Sequence, residues 1–181
     1  MYPLDILSNL GEDKPWRIAH VKSRREKSLA GCLAQAGIGY CLPMYRSRQS
    51  SGKRQRFSLL PLFPGYLFFK ADEFDRHKAL RTHHVARIIE VRDPATLVTE
   101  LSSVYKALEG GGEVYPSQFL NVGEFVRIKS GPLRDVEGII VRKDRHYRLI
   151  ISITSIMQSM SVEVDADMVE RISIRKQSNR F

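Results

Sequence analysis

The chain is poor in cysteine, has no long apolar run and carries no motif that advertises chemistry. Cys32 and Cys41 are its only thiols and form no CxxC pair, which excludes a disulfide framework and fits a reducing, cytoplasmic setting. A membrane helix needs about 20 consecutive apolar residues. The densest stretch, LLPLFPGYLFF at 59–69, is shorter and is broken by Pro61, Pro64 and Gly65. Residues 1–14 carry no basic leader and place Asp5 in their only apolar run, so no secretory signal and no membrane association are expected. Phosphate-cradling glycine loops, GxSxG elbows and HExxH pairs are missing from the sequence. His20, His77, His83, His84 and His146 show no ligand spacing among themselves or with the cysteines, and no paired carboxylates mark a cleft. The expectation is a non-enzyme with no catalytic residue, no metal and no cofactor.

What is present in excess is positive charge, with 29 Lys+Arg against 20 Asp+Glu for a net +9. The excess is uneven: residues 1–112 hold 18 basic against 11 acidic side chains (+7), and 113–181 hold 11 against 9 (+2). A polyanion would be met mainly by the first part; an ordinary basic surface is the competing reading. The densest run contains Arg46, Arg48, Lys53, Arg54 and Arg56 with no acid between residues 46 and 56, and Ser-Ser-Gly at its tip. It reads as a basic hairpin loop, either a phosphate contact or a solvated tip.

The clearest seam is the glycine run at 110–112 with Pro116 beyond it, which divides the chain in two. The expected organisation is an N-terminal extension at 1–13, a first domain at 14–109, a flexible linker at 110–121, a second domain at 122–173 and a polar tail at 174–181. In the first domain, residues 16–22 read as a strand. Ser23 and Glu26 have the spacing of a reciprocal cap opening a helix that Gly37 ends. Strands follow at 40–46 and 66–70, then a helix at 72–82 with Phe74, His77, Lys78 and Arg81 at helical spacing. A strand at 86–92 and a helix carrying Leu101, Val104, Tyr105 and Leu108 complete it. This alternation predicts an α+β sandwich on an antiparallel sheet. Beyond the seam the apolar period changes to two, as in Val126 and Ile128 or Leu149, Ile151 and Ile153, and predicts a small β-barrel. The apolar stretch at 59–69 is then either core or a surface for a partner.

The phrase LFPGYLFF, the downstream VGEFVRIKSGPLRDVEGIIV, and the order of Trp16, Glu26, FPGY (63–66) and GPLRDVEG (131–138) together resemble the NusG family of transcription elongation factors. The stretch from Cys32 to Phe69 is also similar to the specialised, RfaH-like branch of that family. The resemblance implies an NGN sandwich joined by a flexible linker to a KOW domain, a small SH3-like barrel that the strand alternation favours at rest. It implies a non-enzymatic, monomeric elongation or antitermination factor that suppresses pausing or termination. An alternative from another class is a ribosome-associated or RNA-binding KOW protein acting in translation.

The resemblance also implies sites. Phe63, Pro64, Gly65 and Tyr66 would bind the β′ clamp helices of RNA polymerase, with Phe63 the leading contact; packing of Phe63 beneath a neighbouring helix is the competing reading. Asp75, Arg76 and His77 would face the β gate loop. Lys22 and Thr82 agree with the branch's DNA-reading positions and join Arg46, Arg48, Lys53, Arg54 and Arg56 as candidate contacts to non-template or upstream DNA. Gly131, Pro132 and Gly138 carry the KOW motif, on a barrel that would engage Rho or a small-subunit ribosomal protein. Phe125 and Ile139 are its candidate surface apolars.

Overall fold

The computed structural model describes residues 14–51, 54–111, 113–117, 123–143 and 146–172, with residues 48–51, 54–56, 142–143, 146 and 166 described as backbone only. Among the described residues, twelve strands and three α-helices form an α+β fold with antiparallel sheets. The first sheet has the order β2-β5-β1-β6, formed by Tyr40–Cys41, Tyr66–Lys70, Trp16–Val21 and Val85–Glu90. Because side chains alternate across a strand, its two faces bury different sets. Ala19, Val21, Leu67 and Phe69 meet α1 (Glu26–Gln35), whereas Trp16, Ile18 and Phe68 join the cluster that holds α3 (Pro94–Glu109).

Several local expectations are corrected here. Helix α1 starts at Glu26 behind Arg25, without a side-chain cap, so Glu26 is released for a tertiary bond described below. Helix α2 (Glu73–Arg81) is capped by Asp72, which accepts from the Asp75 amide at 2.8 Å. The face that helical spacing picked out on α2 is its outer one: Phe74 is 70% exposed, and His77 and Arg81 are also exposed. The inner face carries a carboxylate beside the buried Ala79. The Asp75 carboxylate accepts from Lys14 at 2.8 Å and Lys78 at 3.2 Å, and the buried Arg17 guanidinium reaches Glu73 and Glu90. The basic run is not a loop. It belongs to a two-stranded ribbon, β3 (Met44–Ser51) and β4 (Arg54–Pro61), in register from Met44↔Pro61 to Ser51↔Arg54.

Within the segment expected as linker, Val114–Ser117 form β7, which pairs with β11 (Gln158–Val164). This adds a strand to the second sheet, whose order is β12-β8-β9-β10-β11-β7. Its other members are β8 (Glu124–Ile128), β9 (Glu137–Lys143), β10 (His146–Ile153) and β12 (Val169–Arg171). The sheet is barrel-like and closes on Val126, Ile128, Leu149, Ile151 and Val162. Gly138 is required by a close crossing, since a Cβ there would stand 2.3 Å from the Ile150 carbonyl oxygen. Ile139 is buried and Phe125 half-buried, so Ile139 is core rather than surface.

The two sheets share one apolar cluster. Helix α3 buries Leu97, Leu101, Val104 and Ala107 and packs on β10, and the cluster continues from Trp16 and Phe63 through α3 into the barrel. At its margin the Glu100 carboxylate accepts from the Thr154 amide and hydroxyl, at 3.1 and 2.5 Å.

Candidate functional site

Residues 63–66 form a tight turn leading into β5. Pro64 in the second position fixes φ and Gly65 in the third adopts φ +83°, the residue choices of a type II turn; the Tyr66 amide closes it by donating to the Phe63 carbonyl at 3.1 Å. The Gly65 carbonyl accepts from the Val21 amide at 2.8 Å. The Gly65 amide donates to the Glu26 carboxylate, also at 2.8 Å. Glu26 is only 7% exposed. A buried carboxylate in charge-assisted contact with a backbone N–H is among the stronger hydrogen bonds, so α1, β1 and the turn are joined at one point.

The turn does not present its aromatic to solvent. Phe63 is 1% exposed and meets Phe68 edge-on, with centroids 6.3 Å apart. Phe63 is packed, as the competing reading had it: the proline-braced turn drives it inward, into the cluster that includes α3 and the barrel. Pro64 is exposed, Gly65 and Tyr66 are half-buried, and Tyr66 lies 5.3 Å from the His20 ring across the β5–β1 pair. Close by, Cys41 is fully buried and its thiol donates to the Tyr105 oxygen at 3.4 Å. Burial pushes the Cys41 thiol up to about 12 and raises Tyr105 as well.

The remaining candidates scatter. Asp75 is 5% exposed and held by two lysines, so it does not face outward as a partner contact; the Lys14 bond, ahead of the Lys78 bond, keeps its carboxyl below the usual range against the opposing effect of burial. Arg76 is half-exposed beside Glu73, and His77 is open. Lys22 is exposed, whereas the Thr82 hydroxyl donates to the Ala79 carbonyl at the end of α2 and accepts from the His84 amide. Arg46 is exposed on β3. Arg48, Arg54 and Arg56 occupy ribbon positions as backbone, and Lys53 lies outside the described residues. In the motif loop Gly131 adopts φ +78° and Pro132 is exposed. Among the described residues no three His, Cys, Asp or Glu side chains stand together as metal ligands, and no helix is long and apolar enough to cross a membrane.

Two features of this surface escaped the sequence reading. Phe57 and Leu59 are 56% and 55% exposed on β4. Reading 46–56 as a loop hid the pairing that places them opposite Arg48 and Arg46. The role of Glu26 toward Gly65, 39 residues away, leaves no local signal.

A family model described as "Transcription termination factor nusG" matches residues 14–113. A solved structure, "Domain interaction in Thermotoga maritima NusG", is similar with a TM-score of 0.52 and 22% identity, covering 89% of this chain and 98% of that chain. At that identity the likeness speaks to fold. No curated protein sequence matches.

Proposed function

We propose, from the premise that this chain belongs to the NusG family of transcription factors, that it is a non-enzymatic elongation and antitermination factor of the specialised, RfaH-like kind. Its NGN domain docks on the clamp helices of the RNA polymerase β′ subunit. The observation that carries this reading is the family match, which spans the four-stranded sheet, all three helices and the ribbon. It also disfavours a translational KOW protein, for which this half of the chain has no use.

The docking surface is the apolar face around Phe63 and α3, which the barrel covers in this structure. Binding polymerase therefore requires the barrel to move off α3. The docked state costs binding whatever free energy separates covered from uncovered forms, because only the uncovered fraction is competent. Once free, the barrel recruits Rho or a small-subunit ribosomal protein. Holding both sides of the polymerase clamp, with Arg76 and His77 toward the β gate loop, favours the closed and unpaused enzyme. Lys22 and the basic ribbon then lie against upstream or non-template DNA, through phosphates.

The test is a pull-down of the full-length chain by isolated β′ clamp helices. Thr154→Glu sets a second carboxylate against Glu100 and should loosen the barrel, so it should be captured more strongly than wild type. Adding Phe63→Leu to Thr154→Glu should reduce capture. If neither wild type nor Thr154→Glu is captured, the polymerase reading is wrong.

A further inference from the structure

The exposed face of the ribbon sets apolar side chains beside arginine positions. Burial alternates along it: Tyr45, Ser47, Ser58 and Leu60 are half-buried, whereas Arg46, Phe57 and Leu59 are exposed. The register sets Arg46 against Leu59 and Arg48 against Phe57, so large apolar side chains and cationic positions share the outer face. The Arg46 guanidinium lies over the Phe57 ring, 5.1 Å from its centroid. Between Met44 and Pro61 the sequence has five basic residues and no acid. The base of the ribbon is fixed: Tyr45 packs on the main cluster, and Lys27 of α1 donates to the Leu59 carbonyl at 2.7 Å.

An occupant of this face must be anionic along its length and must also offer flat apolar surface. Duplex nucleic acid satisfies only the first condition, because its bases are stacked on one another. A second copy of this chain would bring like charge against like charge. A single strand satisfies both conditions, since unstacked bases lie on aromatic faces while arginines follow the phosphates. We infer that the outer face of the β3–β4 ribbon is a platform for single-stranded nucleic acid, on which Phe57 stacks a base and Arg46 meets the adjoining phosphate. The inference rests on the reading of the ribbon as a nucleic-acid contact and adds strand state and stacking to it.

The test uses the full chain and a fluorescein-labelled oligothymidylate of about 15 nucleotides, free or annealed to its complement, with binding followed by anisotropy across a salt series. Wild type should bind the single strand more tightly than the duplex. Phe57→Leu, which keeps apolar bulk at an exposed site, should weaken single-strand binding about tenfold, leave duplex binding unchanged and shift thermal unfolding by only the few degrees that losing the Arg46 cation over the ring entails. Arg46→Gln should weaken both and lower the salt slope by about 0.7 on the single strand. Equal affinity for both forms, or single-strand binding indifferent to Phe57→Leu, overturns the stacking platform. Binding to both forms indifferent to Arg46→Gln overturns the ribbon contact itself, and neither result touches clamp-helix capture. Phe57-dependent binding to phosphatidylserine vesicles without binding to the oligonucleotide also overturns it.

Discussion

The ribbon and the turn that follows it are neighbours in sequence and opposites in structure. Leu59 is 55% exposed and Phe57 56%, while Leu62 and Phe63 are each 1% exposed. Composition does not separate them. What does is that β4 pairs only with β3, in a sheet of two strands, whereas the turn feeds β5 into the middle of a four-stranded sheet with a helix on each face. The lesson is that an apolar stretch in this chain is assigned to core or contact by its partners and not by its hydrophobicity.

Thiol chemistry gives the sharpest contrast. Cys41 belongs to the Phe63 cluster, is 0% exposed and has its thiol pushed up to about 12. At pH 8 its thiolate fraction is then on the order of one in ten thousand in the folded chain. Cys32 on α1 is half-buried and free. Alkylation followed by mass spectrometry should label Cys32 first and Cys41 only as the cluster opens. Equal rates would show that the region around Phe63 is not closed in solution.

Side-chain truncation should separate the regions next. Phe63→Ala removes a fully buried aromatic and should destabilise the fold by about 3–5 kcal/mol, whereas Phe57→Ala loses only the cation over an exposed ring and should stay within about 1 kcal/mol. Urea unfolding of both variants measures the difference. A smaller pair follows from the two tethers of α1. Glu26→Ala takes the charged partner from the half-buried Gly65 amide and should cost about 1–3 kcal/mol, while Lys27→Ala exposes the Leu59 carbonyl to water at almost no cost. Similar losses for these two would erase the distinction between the regions.

Much of the fold was legible because local pattern and tertiary role agree. Period two marked the barrel strands, the Leu101–Val104–Leu108 face marked α3, and Pro64 with Gly65 marked the turn. The failures have a shared physical cause. The ribbon is Ser-, Gln- and Arg-rich, so strand propensity is weak and its pairing is set by register along the whole hairpin. Helix α2 buries a carboxylate and exposes a phenylalanine, an inversion that depends on Lys14, which lies 61 residues from Asp75. The direction of Phe63 was undecidable because the same turn could aim an aromatic either way until α3 and β5 are present.

The smallest expected effect concerns Arg46. A cation over an exposed ring is worth about 0.5–1 kcal/mol, so Arg46→Gln should lower stability by no more than that. Chemical unfolding of the variant beside wild type measures it. The result bears on the ribbon beyond its size. If Arg46 serves ligand binding, its loss should be felt in affinity and salt slope while stability hardly moves. A drop above about 2 kcal/mol would instead place Arg46 and Phe57 among the contacts that hold β3 to β4, and the outer face of the ribbon would then be folding surface like that around Phe63.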